Sequence, residues 1–385
     1  MKAVADGELE ISSGFVDEMN FCLDCQACET ACPAGVKYGS LVESARGEIG
    51  RNGAEGWITR ILKRLFLVDL FANPQRITWI ARLLRYYQES GLDWLLKKTG
   101  LLRIFSRRID QIQFLAPRVS KQPSRNSLAE VIQPTGKTSY RVGFLTGCIM
   151  DVAFADINLD TVDLLVHHGC EVVIPRSQVC CGSLQAHNGE MEVAKRLARQ
   201  NVSAFADIDL DAIIMDSAGC GAFMKEYGSV LGGETAFAAP AAKLASKVKD
   251  ISEFLSEIGL RIDANATRKL GAKRVTYHDA CHLVHSQKIG EQPRNLIRSV
   301  PDIEYVELPE STWCCGSAGI YNITHYDTSM ELLDRKIKNI KKINPEIIVT
   351  GNPGCLLQLE HGLRREGMKI ELLHLATFLR RACCE

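Results

Sequence analysis

The sequence lacks several features that would each point to a class of protein. No run of 18 or more apolar residues occurs in its 385 residues, and the N-terminal stretch MKAVADGELEISSG has no apolar secretory core. No Gly-rich phosphate loop, nucleophile elbow or paired-carboxylate signature stands out. Lys plus Arg equals Asp plus Glu at 46 each, which argues against a general nucleic-acid binder. The chain therefore has no visible substrate or flavin site.

Cysteine is the residue that needs an explanation. Fifteen cysteines are too few for a disulfide scaffold, and a chain of 385 residues can bury a core without metal. With no secretory signal in view, we expect a reducing, cytoplasmic setting in which the thiols stay free for metal.

The first motif is FCLDCQACETACPAGVKYG, residues 21–39, within a predicted domain at 1–50. Its spacing, C-x2-C-x2-C-x3-C-P, is that of bacterial ferredoxins and predicts a [4Fe–4S] cluster. Zinc is a poorer interpretation, because structural zinc sites usually pair two separated knuckles. The cysteines of this N-terminal run are Cys22, Cys25, Cys28 and Cys32.

The fourth cysteine of the run leaves three alternatives. In two-cluster ferredoxins, the cysteine before the proline ligates the other cluster. Either Cys32 closes the same cluster, or a distant thiol does, or a partner run is missing from the chain. The last alternative predicts that Met1 is not the natural start.

A basic helical segment, residues 51–116, follows the run. From Arg51 to Arg108, twelve Lys and Arg stand against four Asp and Glu, interleaved with apolar residues at helical spacing. Such helices can lie on an anionic membrane surface, cover a partner subunit, or pack on the chain's own core.

Beyond a Pro/Ser-rich linker at 117–140, one unit occurs twice, at 141–262 and 263–385. Four cysteines recur with offsets of 133, 134, 134 and 135 residues, which indicates a duplication. The first cysteine set is Cys148, Cys180, Cys181 and Cys220, and the second cysteine set is Cys281, Cys314, Cys315 and Cys355.

Short β-rich runs alternate with longer helical patterns in each copy, which predicts α/β units with parallel sheets behind a ferredoxin-like helical domain. The cysteines follow the strands, and loops at the carboxyl ends of parallel strands converge. We therefore expect each set to lie within the span of one cofactor. Gly182 and Gly316, which follow the paired cysteines, permit a tight turn there.

Other residues have a plainer interpretation. Cys170 has no counterpart in the second copy and is expected to be a small buried hydrophobe. We expect the same of Cys383 and Cys384, in a mobile tail. The histidines of YHDACHLVH, near the second set, could donate to a cofactor or carry protons, but histidines with ordinary loop partners are favoured because LTGCIMDVA in the first copy has none. They are His278, His282 and His285.

Three stretches, CLDCQACETACPAGVKYG, SAGCGAFMKEYG and CCGSAGIYNITH, resemble the iron–sulfur subunit of the glycolate oxidase (glycolate dehydrogenase) complex. The wider group has cysteine-rich CCG domains that also occur in heterodisulfide reductase. The resemblance implies a chain without catalytic residues of its own. It would take electrons from a separate FAD-containing subunit that oxidises glycolate or another D-2-hydroxy acid. It would pass them towards a membrane acceptor pool, from the cytoplasm or the inner face of the cell membrane.

The sequence departs from that family at two places. Members usually carry two ferredoxin runs, and ADGELEISSGFVDEMN is similar to the linker between them. Ser217 and Asn352 stand where heterodisulfide reductases have a further cysteine, so a five-thiolate cluster fits poorly. A disulfide or thiol reductase acting at a CCG site and a zinc or structural-cysteine scaffold remain open alternatives.

Overall fold

A helical region precedes two β-sheets in the computed structural model, which describes residues 1–263, 271 and 273–384. Ser12 caps the helix that leads into the cysteine run, since its Oγ accepts the Phe15 N–H at 3.2 Å. Asn73 likewise caps the longest helix of the basic segment. The helices are Lys2–Ala5, Ser13–Phe21, Ala27–Ala31, Tyr38–Arg51, Trp57–Lys63, Pro74–Glu89, Leu92–Thr99, Leu101–Phe105 and Arg107–Ile112, with a π-helical turn at Arg64–Leu70 and a 3-10 turn at Gln113–Leu115.

The first sheet has the order β1-β3-β2-β4-β5, and all its neighbours are parallel except β1 and β3. Val142 at its centre pairs with Val172 on one side and Ala212 on the other. The strands are β1 (Val131–Ile132), β2 (Tyr140–Phe144), β3 (Cys170–Val173), β4 (Ala212–Met215) and β5 (Val248–Asp250).

The second sheet repeats this order as β7-β6-β8-β9, with every pair parallel. Val275 takes the place of Val142 and pairs with Tyr305 and Ile347. The strands are β6 (Lys273–His278), β7 (Ile303–Tyr305), β8 (Ile347–Thr350) and β9 (Glu371–His374). The predicted α/β class, with duplicated units and parallel sheets, is confirmed.

Amphipathic helices cover the sheets. In Met191–Phe205, for example, Ala194, Leu197, Ala198 and Val202 form the buried stripe. The helices around the first sheet are Ser124–Ser127, Ile149–Ala153, Ala155–His167, Ser183–His187, Met191–Phe205, Ala218–Lys225, Tyr227–Val230, Ala238–Lys247 and Ile251–Ile258. Those around the second are Glu291–Arg298, Tyr321–Thr324, Tyr326–Ile343, Pro353–Arg365 and Leu375–Cys383, with a π-helical turn at His282–Ser286.

One hydrophobic core is shared by the two units. Phe144 and Phe254 from the first unit and Tyr277 and Phe378 from the second belong to the same cluster of buried side chains. A hydrogen bond of 2.6 Å from Thr377 to Asp160 also joins the units. The two sheets are therefore held in a fixed relation, and so are the loops at their carboxyl ends.

The chain ends differ from expectation. Cys383 lies within the last helix and is fully buried in the shared core, because an apolar face of that helix packs on Ala155–His167. The prediction of a mobile tail is therefore wrong.

Three other predictions concern the interior of the chain. Cys170 is a buried core residue, as expected. The segment at 117–140 contributes β1 to the first sheet. Residues 264–270, at the start of the predicted second copy, lie outside the described residues.

Candidate metal centres

The first cysteine set meets at the carboxyl edge of the first sheet. Cys148 follows β2, the paired cysteines end the loop after β3, and Cys220 lies in the helix after β4. The strand order reverses between β2 and β4, which is where ligand crevices open in such sheets. The thiol of Cys180 is within hydrogen-bonding reach of Cys148 and Cys181, and that of Cys181 is within reach of Cys220. Three loops distant in sequence thus bring four thiols into one group.

Buried polar side chains hold the paired cysteines of the first set. Asn201 donates from Nδ2 to the Cys180 carbonyl at 3.0 Å, and the Tyr227 hydroxyl donates to the Cys181 carbonyl at 2.5 Å. Gly182 then turns the chain with φ +94°. A side chain at Gly182 would meet the Ala194 backbone at 3.2 Å, so the turn needs glycine.

The second cysteine set forms the same arrangement at the edge of the second sheet. Cys314 is within hydrogen-bonding reach of Cys281 and Cys315, and Cys315 is within reach of Cys355. Ser329 donates to the Gly316 carbonyl at 2.8 Å, and Gln358 donates to Ser329 at 2.8 Å. Different side chains therefore hold the same backbone turn in the two copies.

The environment of the thiols suits a bound cation. Contact with Cys180, then burial, raises the pKa of the Cys148 thiol well above its ordinary value, and contact with Cys314, then burial, does the same for the pKa of Cys281. Two cysteines of each set are buried and two are half-buried, and four such thiols in contact cannot all ionise unless a positive charge lies among them. A metal group supplies that charge and deprotonates its thiol ligands, so each cysteine set fits an iron–sulfur group.

Lys336 adds a positive charge beside the second cysteine set. Its side chain is fully buried, and its ammonium donates to the carbonyls of Glu310 and Ser311, just before Cys314. Burial lowers the pKa of Lys336 to about 8, against the opposing effect of the nearby Cys315 and other thiols. Nothing in the sequence pattern pointed to this lysine.

Three cysteines of the N-terminal run lie close together, and the fourth lies apart. Burial, together with Cys281, Cys22 and Cys28, raises the pKa of Cys25 to about 11. The Cys22 sulfur accepts the Asp24 N–H at 3.3 Å in a loop where Asp24 and Gln26 have positive φ.

The Cys32 sulfur faces the backbone N–H groups of Val36, Ala34 and Gly35, which lower the pKa of this half-buried thiol. The structure thus brings Cys25 near the second cysteine set and holds Cys32 outside that group.

Arg46 fixes the cysteine run to the first unit. Its buried guanidinium donates to the carbonyls of Cys22, Met19 and His187, at 2.5, 3.1 and 2.7 Å. It also lies 4.0 Å from the carboxylate of Asp24. One side chain therefore joins the run to the helix that follows the first CCG motif.

His187 also belongs to a buried cluster of charged side chains, with Asp24 and Glu43, that the sequence analysis did not predict. His187 Nδ1 is 3.0 Å from Asp24 Oδ2 and 2.6 Å from Glu43 Oε1. Burial alone lowers the pKa of His187, but Asp24 and Glu43 raise it well above its ordinary value. The His187 ring also lies 4.8 Å from that of His282, between centroids. The cluster thus connects the run with both units.

The three histidines near the second set have different surroundings. His282 Nε2 donates to the Asp24 carbonyl at 2.8 Å, and His285 Nδ1 is 3.0 Å from the Thr30 hydroxyl. Both have partners, as favoured from the sequence, although the partners belong to the cysteine run. His278 is buried, and neither of its ring nitrogens has a hydrogen-bond partner among the described residues. The favoured interpretation is therefore wrong for His278.

The two CCG sites lie next to each other. The N–H of Ala218 donates to the Gly351 carbonyl at 3.2 Å, and that of Gly219 to Asn352 Oδ1 at 3.5 Å. These residues precede Cys220 and Cys355. Cys25 of the N-terminal run interacts with Cys281 of the second cysteine set. The N-terminal run and the two cysteine sets therefore lie in one region of the molecule.

Comparisons with known proteins agree with this arrangement. Residues 142–225 and 275–360 each match the family model of the cysteine-rich CCG domain, and residues 58–115 match the linker region of glycolate oxidase iron-sulfur subunits. The chain is similar to the probable glycolate oxidase iron-sulfur subunit of Bacillus subtilis, with 38% identity over 98% of this chain and 85% of that protein.

Two further relatives cover different fractions of this chain. The glycolate oxidase iron-sulfur subunit of Escherichia coli is 30% identical over 93% of this chain and 81% of its own length. Lactate utilization protein A of Oceanobacillus iheyensis is 32% identical over 62% of this chain and 96% of its own length. The likeness therefore extends to proteins whose names refer to two different 2-hydroxy acids.

Proposed function

Because this chain belongs to the family of glycolate oxidase iron–sulfur subunits, we propose that it is the electron-transfer subunit of a 2-hydroxy-acid oxidase. In this proposal, a separate FAD-containing subunit oxidises glycolate or another D-2-hydroxy acid. This chain receives the electrons and delivers them towards a membrane acceptor. The relatives named for glycolate and for lactate support the substrate class.

The main support for the proposal is that the N-terminal cysteine run and the two cysteine sets lie close together. Cys25 interacts with Cys281 of the second set, and the loops that carry Cys220 and Cys355 are hydrogen-bonded to each other. Iron–sulfur groups accept and release single electrons, which suits them to receive the two electrons of a hydroxy-acid oxidation one at a time. The described residues supply thiol ligands, a buried environment and loops held in place by hydrogen bonds, and such surroundings set the reduction potential of an iron–sulfur group.

We assign a [4Fe–4S] cluster to the N-terminal run, with Cys22, Cys25 and Cys28 as ligands, on the strength of their spacing and proximity. Cys32 remains a candidate fourth ligand. We assign further iron–sulfur groups to the first and second cysteine sets.

Replacing Cys25 with serine is expected to abolish the electron paramagnetic resonance signal of the reduced ferredoxin-type cluster, because a ligand is lost. The matched control is Cys170→Ala, which removes a buried cysteine from the core and leaves every candidate site intact. A signal that survives unchanged in Cys25→Ser would show that the assignment is wrong.

Metal analysis separates the proposal from its two rivals. After anaerobic purification of the full chain, we expect iron and acid-labile sulfide in amounts that exceed one cluster. Zinc in place of iron would favour the scaffold, and turnover of a disulfide by the isolated chain would favour the reductase. Reduction of the iron–sulfur groups by hydroxy acid, only when the flavoprotein subunit is present, supports electron transfer.

We further propose that the basic helical segment docks on an anionic membrane surface. Many of its large apolar side chains are exposed, at helical spacing, and basic residues accompany them. No helix in the described part of the chain has both the length and the hydropathy to cross a bilayer. The exposed residues include Trp57, Ile61, Leu65, Trp79, Leu83, Tyr86, Trp94, Ile104 and Phe105.

Vesicle sedimentation tests this surface. The full chain is expected to bind vesicles that contain phosphatidylglycerol more strongly than pure phosphatidylcholine, since each Lys or Arg near an anionic surface contributes about 1 kcal/mol. A Trp79→Ser, Phe105→Ser double variant should bind several-fold more weakly. Val131→Ser, at an exposed apolar residue outside the segment, is the control. Equal binding to both vesicle types would contradict the proposal and leave a protein partner as occupant.

A further inference from the structure

His278 is the last residue of β6, three positions before Cys281, and is 1% exposed. Its ring lies beside the second cysteine set, where one ring nitrogen and the sulfurs of Cys315 and Cys355 all lie within 4.8 Å of one another. Neither Nδ1 nor Nε2 has a hydrogen-bond partner among the described residues. The histidine therefore presents two free nitrogens in a buried site lined by thiols.

Such a side chain is costly unless something binds it. A buried polar group without a partner loses its hydrogen bonds to water and gains none in return, and an apolar residue of similar size would avoid that cost. The first copy has that apolar residue, since Leu145 stands three positions before Cys148 and is 1% exposed. The two units share strand order, register and cysteine positions. The histidine thus sets the second site apart from the first.

Neighbouring residues of the second unit do not satisfy the ring. The ammonium of Lys336 is directed to the carbonyls of Glu310 and Ser311, and Asp279 forms a bidentate pair with Arg294 at 2.9 and 2.7 Å. The neighbours that remain for His278 are the thiols of Cys315 and Cys355. Imidazole nitrogen and thiolate sulfur together are a common ligand set for iron and zinc.

We propose that His278 is a nitrogen ligand of the metal group at the second cysteine set, beside Cys315 and Cys355. The inference rests on the proposed function in that it takes both CCG sites to hold iron. The first site is then an all-thiolate site, and the second is a mixed site of thiolates and one imidazole. The duplicated units hold chemically different groups.

The expected consequence is a higher reduction potential at the second site. Each set has four thiolates, so the imidazole raises the potential by taking the ligand position of one of them: a neutral ligand leaves less negative charge on the iron, as in Rieske centres. The buried ammonium of Lys336 acts in the same direction. Electrons would therefore favour the second site, which is the one next to Cys25.

Pulsed electron paramagnetic resonance of the full chain, labelled with 15N in its histidine rings, tests this ligand. In the reduced, iron-loaded protein we expect the strong nitrogen coupling of a directly bound imidazole. His278→Leu, which copies the first site, should lose that coupling and shift the potential of one group downward. His278→Cys should retain iron and lose the coupling. His361→Gln, six residues beyond Cys355, is the matched control and should keep it.

The outcomes separate the inference from the proposed function. Iron–sulfur signals without any strongly coupled histidine nitrogen would overturn the assignment of His278 and leave the electron-transfer function standing. Coupling that survives in His278→Leu would overturn it also, because another histidine would then be the ligand. A chain with no iron–sulfur signals at all would overturn both.

Discussion

Replacing Arg46 with methionine is expected to detach the N-terminal cysteine run from the first unit. The guanidinium supplies hydrogen bonds to three carbonyls, and its removal leaves the buried Asp24 with one cationic neighbour fewer. Removing one partner of a buried charge pair costs about 3–5 kcal/mol. His187 still faces Asp24, so we expect the lower end of that range.

Two measurements follow this effect. Urea unfolding gives the change in free energy, and the iron content of the run shows whether the cluster site survives. Arg51→Met is the matched control, since Arg51 lies on the same helix but is exposed and, among the residues that the structure describes, pairs only with Glu48 of its own helix. We expect no measurable change there. If Arg46→Met matched the Arg51 variant in both measurements, the docking role of Arg46 would be wrong.

The fold was predictable because it depends on patterns that repeat along the chain. Runs of β-forming residues alternate with helical periods, and the offset of about 134 residues between matched cysteines is enough to divide this region into two units. The convergence of Cys148, Cys181 and Cys220 follows from the same topology, since all three follow parallel strands. Local pattern and global fold agree in these regions.

The docking of the cysteine run was not predictable from sequence. Arg46 and His187 are 141 positions apart, and each looks like an ordinary helix residue. The same holds for Lys336, a buried cation in a helix whose pattern is otherwise amphipathic. Contacts between distant elements leave no periodic signal in a single sequence, so they emerge only when the elements are placed together.

His278 is an intermediate case, because the signal was present in the sequence. Aligning the two copies on their cysteines puts His278 opposite Leu145, at the end of strands that are otherwise alike. The second copy thus has a polar residue where the first copy has an apolar one. Such a difference indicates that the side chain has a role other than packing. The prediction that His278 is an ordinary loop histidine was wrong because His278 is the last residue of strand β6 and not part of the following loop.

Gly316 is the position at which a single methyl group is expected to remove one CCG site and spare the other. Its φ is +91°, which residues other than glycine rarely adopt, and an added Cβ would lie 2.5 Å from the Ser329 carbonyl oxygen. Backbone strain of this kind costs about 1–3 kcal/mol, before the clash with a fixed helix is counted. Ser329 cannot retreat freely, because its hydroxyl is bonded to Gly316 and Gln358.

Gly316→Ala should therefore misplace Cys314 and Cys315 and lower iron binding at the second site, while the first site retains its iron. The reciprocal variant is Gly182→Ala, with φ +94° and the Ala194 backbone at 3.2 Å, and it should affect only the first site. Gly50→Ala, in a helix with open space around the new methyl group, controls for the substitution itself. Iron counts and resonance signals that fall together in both CCG variants would mean that the two sites do not assemble independently, whereas selective loss assigns each signal to its own unit.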